Sequence, residues 1–105
     1  MSKEDKELVI NETVLKKGAL VLRALNHKLR QQILQLIHRK ERMAVTDIYV
    51  KLRLEQSVAS QHLRILRDAR LVRTERQGKQ IFYSVDYKRL EEVQTRAGKL
   101  LQNPK

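Results

Sequence analysis

The chain is 105 residues long, room for one domain (1–105) with a modest core and not for two. Its 23 Lys+Arg against 12 Asp+Glu leave a formal net charge of +11, a field that gathers polyanions and suits nucleic acid. No apolar run or leader of membrane or secretory kind interrupts it, so a cytoplasmic protein without a membrane partner is expected; with no cysteine there is no disulfide, thiolate metal site or thiol switch, and composition says nothing of the redox compartment.

Glycine and proline are scarce (Gly 3, Pro 1), which predicts a mostly α chain. From Leu8 to Leu25 the residues Leu8, Val14, Leu15, Ala19, Val21, Leu22 and Leu25 recur at three- and four-residue steps, a first amphipathic helix over about 8–25. Gly18 inside it hints that another helix comes close. Asn26 is the expected cap of a second helix with the apolar stripe Leu29, Ile33, Leu36 and Ile37, ended by the polar run from His38 to Arg42. Thr46 is the expected cap of a short third helix carrying Ile48 and Leu52.

A fourth helix follows a short connector, and its two faces differ in chemistry. At about 100° per residue, Ser57, Ser60, Gln61, Arg64 and Asp68 fall on one side, whereas Val58, Ala59, His62, Leu66 and Ala69 fall on the other. Hydroxyl, amide and guanidinium groups crowded at the start of a helix suit base edges and phosphates in a major groove. The third and fourth helices make a helix-turn-helix over about 46–69.

Leu71–Glu75 and Gln80–Val85 are β-rich, and Arg76-Gln77-Gly78-Lys79 between them is a basic hairpin tip, so residues 71–85 predict a wing. Asp86 is the expected cap of a last helix over about 86–101, with the stripe Leu90, Val93, Ala97, Leu100 and Leu101, after which Asn103, Pro104 and Lys105 fray. The predicted fold class is mostly α (α+β), a winged helix-turn-helix in the order α-α-α-α-β-β-α. Its DNA-binding candidates are Gln56, Ser57, Ser60, Gln61, Arg64, Arg76, Gln77 and Lys79, joined by Arg67 and Arg73 as basic groups on helix and wing. Leu8, Leu15, Leu22, Leu90, Val93, Ala97 and Leu100 are candidates for a dimer interface, because so small a domain has little core left to bury both terminal stripes.

The run from Ala24 to Leu34, the segment from Gln56 to Leu63 and the wing ending in Tyr83-Ser84-Val85 resemble the ArsR/SmtB family of bacterial repressors over nearly the whole chain. The resemblance implies a homodimer, joined mainly through its first and last helices, that represses transcription from an inverted-repeat operator in double-stranded DNA. It does not carry over metal sensing. Thiolate-bearing relatives place cysteines where this chain has Ala44 and Thr46, and zinc sensors place Asp and His where it has Tyr87, Arg89, Leu100 and Asn103. No cofactor or metal is therefore expected, and the inducing signal stays open. Arg53 and Arg70 stand where relatives often have glycine or another turn former.

Plainer roles compete for several of these residues. His62 falls among packing residues and is expected to be structural; His27 and His38 are expected on the solvated surface; Ser57 serves equally as helix cap or phosphate contact; Tyr83, in phase with Ile81 and Val85, is expected to point inward. No phosphate loop, paired carboxylate or activated nucleophile suggests an enzyme. The alternatives are a winged-helix protein-interaction module, against which the polar groove-facing residues argue, and a nonspecific architectural DNA binder, against which the amide and hydroxyl readers argue.

Overall fold

A computed structural model of the chain describes residues 6–102, so Asn103, Pro104 and Lys105 lie outside the described part. The first helix, α1, spans Glu12–Leu25, and its start is set by Asn11, whose side chain accepts from the Val14 N–H at 3.0 Å. The apolar period runs on through Leu8, but the capping side chain decides, so the expected start at residue 8 is corrected to 12. Leu8, Val9 and Ile10 are non-helical and exposed.

At the other end of α1 all four terminal carbonyls find donors. Asn26 N–H bonds Leu22 O, and His27 N–H and Gln31 Nε2 both bond Leu25 O. Arg30 takes the remaining two, donating from Nε to Ala24 O at 2.7 Å and from Nη2 to Arg23 O at 2.9 Å. Asn26 thus closes α1 instead of opening the next helix. It is His27 whose Nδ1 accepts from the Arg30 N–H and caps α2 (Lys28–Lys40).

After Glu41, held at φ 68°, comes β1 (Met43–Ala44), a strand too short to carry a period and absent from the expected order. The helix α3 (Val45–Lys51) starts from Ala44 with no side-chain cap, and Thr46 lies inside it, not at its cap. The helix α4 is Gln56–Asp68. Next come β2 (Val72–Gln77), β3 (Gln80–Val85) and α5 (Tyr87–Leu100), which Asp86 caps by accepting the Arg89 N–H at 3.0 Å. The observed order is α-α-β-α-α-β-β-α, with an antiparallel sheet β1-β3-β2 in which Met43 faces Tyr83 and Val72 faces Val85. Gly78 at φ 61° supplies the positive dihedral that the two-residue hairpin turn requires.

The core sits where α2, α3 and α4 meet the sheet. Ile33, Ile37, Ile48, Leu63, Leu66 and Leu71 are wholly buried, and Tyr83, Val85 and Val72 close it from the strands, Tyr83 inward as its phase requires. The terminal helices contribute little: α1 buries only Ala24 and α5 only Val93. Val93, expected to await a partner, is in fact a core residue, and Leu90 is half-buried against the same cluster. Residues 6–20 are exposed throughout, and the radius of gyration is 18.0 Å, against about 13 Å for a compact chain of this length.

Candidate nucleic-acid interface

The helix α4 is anchored on one side and open on the other. Ala59, Leu63 and Leu66 are buried with Val58, His62 and Ile65 half-buried beside them, whereas Gln56, Ser57, Ser60, Gln61, Arg64, Arg67 and Asp68 are exposed. Sequence spacing alone separates these faces. Glu55 occupies the cap position without a side-chain bond to the helix, so Ser57 is a first-turn residue and not the cap, and the N–H groups of that turn remain available to an acceptor from outside. Arg64 approaches Asp68 only to 4.0 Å, with their side chains 75% and 67% exposed, a pairing too solvated to withhold the guanidinium from a phosphate.

The wing carries its basic tip clear of the body. Arg76, Gln77 and Lys79 are exposed, and among the described residues no side-chain bond or ion pair holds them. The base of the wing is tied down more firmly. Arg42 lies over the Phe82 ring at 3.9 Å and bonds Glu75 Oε1 at 2.9 Å, while Arg73 reaches Asp86 at 3.3 Å. Arg73 therefore shares its charge with α5 and is less free for DNA than Arg76 or Lys79.

Behind the reading face a single buried guanidinium joins three helices. Arg30 is 6% exposed; besides capping α1 it donates from Nη1 to His62 Nδ1 at 3.2 Å. Guanidinium nitrogens only donate, so Nδ1 of His62 is an acceptor and its proton sits on Nε2. Burial, with help from His27 and Arg30 nearby, holds His62 below the usual imidazole range, and burial also pulls Arg30 below its usual value. The His27 and His62 rings are 5.0 Å apart. His62 is structural, as its phase predicts, but His27 is a capping, half-buried residue and not a solvated one. Arg30 escaped the sequence reading, although its place three, four and seven residues ahead of Ile33, Leu34 and Ile37 puts a charge on the apolar face of α2.

At the far end of α4, Arg89 of α5 donates from Nε to Ala69 O at 3.1 Å and from Nη1 to Glu92 at 2.6 Å. Tyr87 meets the exposed His38, Oη to Nδ1, at 2.7 Å, so His38 has a partner the sequence did not suggest. The positions matching the metal sensors are thus an apolar cap residue in Ala44, an exposed Thr46, a phenol and a guanidinium already engaged, and an exposed Leu100; Asn103 lies outside the described residues. No group of three or more potential metal ligands occurs among the described residues, and none of their helices is long and apolar enough to cross a membrane.

Residues 27–74, from the cap of α2 into β2, match the family described as bacterial regulatory protein, arsR family. Over 79 residues the chain is 32% identical to the transcriptional repressor PagR of Bacillus anthracis, covering 75% of this chain and 79% of PagR. The chain belongs to the ArsR family. The crystal structure of PagR superposes with a TM-score of 0.62 at 29% identity over 81% of this chain and 98% of PagR. NolR from Sinorhizobium fredii gives a TM-score of 0.68 at 30% identity, covering 91% of this chain and 97% of NolR. Reduced HlyU from Vibrio cholerae gives 0.62 at 27% identity, covering 87% and 96%. As an ArsR-family protein, this chain is a DNA-binding transcriptional repressor with a winged helix-turn-helix, in which α3 and α4 form the helix pair and β2–β3 the wing.

Proposed function

We propose that this ArsR-family repressor acts in the bacterial cytoplasm as a homodimer on an inverted-repeat operator, without metal or thiol sensing and without catalysis. The row Ser57, Ser60, Gln61 and Arg64, open on a helix whose opposite face packs into the core through Ala59, Leu63 and Leu66, carries the reading: rigid anchoring with short polar groups outward is what base-edge recognition needs. Gln56 and the wing residues Arg76, Gln77 and Lys79 hold the phosphates. The homodimer rests on an apolar groove of about 550 Å³ between α1 and α5, lined by Leu15, Gly18, Ala19, Leu22, Ala97 and Leu100. An added Cβ at Gly18 would meet nothing within 4 Å in the protomer, so the close helix expected at this glycine is not one of the protomer's own, and the glycine leaves room in the groove for a second copy.

Selection of random duplexes with the purified protein tests the proposal. A palindromic consensus, retained against excess scrambled duplex, is the expected result. Loss of the complex to any duplex would identify an architectural binder, and failure to retain DNA at all an interaction module. The basic face also requires a steep salt dependence, with a logarithmic slope of about 0.9 for each phosphate neutralised.

A further inference from the structure

We propose that Arg30 and His62 form a clamp that positions α4 for its operator, and that protonation of His62 at Nδ1 opens it. The proposal rests on α4 being the operator-reading helix. Three observations carry it. The Arg30 guanidinium is buried and divides its donors between two carbonyls at the end of α1 and His62 on α4, so the orientation of α4 is referred to the α1–α2 junction through one rigid, planar group. His62 lies one residue beyond Gln61 and two short of Arg64, so a rotation that frees its ring turns the reading residues with it. Finally, Nδ1 of His62 has to be unprotonated to accept from a group that can only donate.

A proton on that nitrogen replaces a hydrogen bond with two opposed donors and sets a second cation against the buried guanidinium. The ionisable groups that act on His62 are His27 from the α1–α2 junction and Arg30 from α2, both basic; of the other elements packed on α4, α3 carries the exposed Asp47, β2 carries Glu75, which pairs with Arg42, and α1 carries Glu12, and none of these three acts on His62 to offset them. His27 is tied into the same junction, because its Nδ1 accepts the Arg30 backbone N–H. Acid therefore loosens the connection at its histidine, and the direction is diagnostic. Added positive charge by itself strengthens attraction to any duplex, whereas an opened clamp lowers the preference for the operator over scrambled DNA.

The test uses the full chain and the duplex recovered by selection, measuring affinity for that duplex and a scrambled one from about pH 7.5 down to the lowest pH at which the protein stays folded, because His62 takes up its proton below the ordinary histidine range. For the wild type the operator preference is expected to fall in acid by about tenfold, the order of one lost hydrogen bond. In His62→Asn the side-chain oxygen replaces Nδ1 as a neutral acceptor, so the preference should be kept near neutrality and become flat with pH. His62→Ala should have little preference at any pH, and Arg30→Lys, whose three donors share one nitrogen and cannot span the acceptors that Nε, Nη1 and Nη2 reach separately, should resemble it. A wild-type preference that is flat or rises in acid overturns the clamp, as does a His62→Asn protein that falls as steeply as the wild type. Circular dichroism and sedimentation at each pH establish that the protein compared is folded and of unchanged assembly. If either variant fails that check, the sign of the wild-type profile still decides. A wild type that selects no duplex defeats the operator reading instead.

Discussion

Replacing Leu100 with lysine bears most directly on the groove between α1 and α5. Leu100 is 76% exposed, Leu15 61% and Leu22 37%. At about 2 kcal/mol for a fully buried leucine, covering what these three expose stabilises association by about 3–4 kcal/mol per protomer, counted twice in a symmetric pair. Lysine at position 100 removes about 1.5 kcal/mol of that from each protomer, and it places a cation one helical turn beyond Arg96, which lines the same groove. A glutamate there would pair with Arg96 and blunt the effect, so lysine is the sharper choice. With about 3 kcal/mol lost per dimer, the dissociation constant should rise by at least about a hundredfold. Because the side chain touches little within the protomer, helix content should not change. Sedimentation equilibrium reads the assembly, and operator affinity should fall with it, since a symmetric operator needs both half-sites engaged. A Leu100→Lys protein that dimerises as tightly as the wild type would refute the assignment of this groove to a second copy.

The Asp86 side chain is 18% exposed and is held below the usual carboxylate range, first by the Arg89 N–H and then by Arg73. The unfolded chain therefore takes up this proton first, so the stabilisation is complete above the ordinary value of 3.8 and is lost as pH falls through the depressed one; Asp86→Ala should cost about 1 kcal/mol in urea unfolding near neutrality and remove that part of the acid limb. Calorimetry with zinc is expected to show no tight stoichiometric site, and submicromolar zinc binding coupled to loss of DNA would contradict this and direct attention to His27, His38 and Asp47. Gln61→Ala should cost about 1–3 kcal/mol on the selected operator and little on scrambled duplex. Lys79→Ala should weaken both about equally and lower the salt slope by about one, so matching profiles for the two variants would contradict the division between helix and wing.

Where the fold was legible in the sequence, a period or a punctuating residue made it so. The two faces of α4 follow from spacing alone, and Asp86 and Gly78 stand where a cap and a hairpin turn need them. What escaped has physical reasons. The strand β1 is two residues long and is defined only by pairing with β3, a contact almost forty residues away. Helix starts misled three times: Asn11 is chosen over an earlier start of α1, and His27 over Asn26, by which side chain reaches an unpaired N–H, while α3 begins from Ala44 with no side-chain cap and takes the expected cap Thr46 into its first turn. Val93 has the spacing of a free stripe, and only the packing of α5 on the protomer reveals it as core. The candidate DNA contacts were legible as polar groups at helical spacing, whereas Arg30 was hidden because its partners lie on two other helices.

The turns around the helix pair follow from the same economy of glycine. Arg53 and Arg70 stand at φ 56° and 60°, in the turns that lead into and out of the reading helix, at the positions where the resemblance suggested glycine. A left-handed conformation costs a residue with a Cβ roughly 1–2 kcal/mol, while glycine would give back about 0.4–1 kcal/mol through the freer unfolded chain. Arg53→Gly should therefore stabilise the fold by about 0.5–1 kcal/mol net, read as a shift of the urea midpoint at unchanged slope. Arg53 is exposed, so packing does not explain its place in a strained turn; a cation beside α4 adds to the field that draws DNA. The same substitution should accordingly weaken all duplexes alike and flatten the salt dependence. A more stable protein with undiminished DNA affinity would show that the arginine has no electrostatic role there.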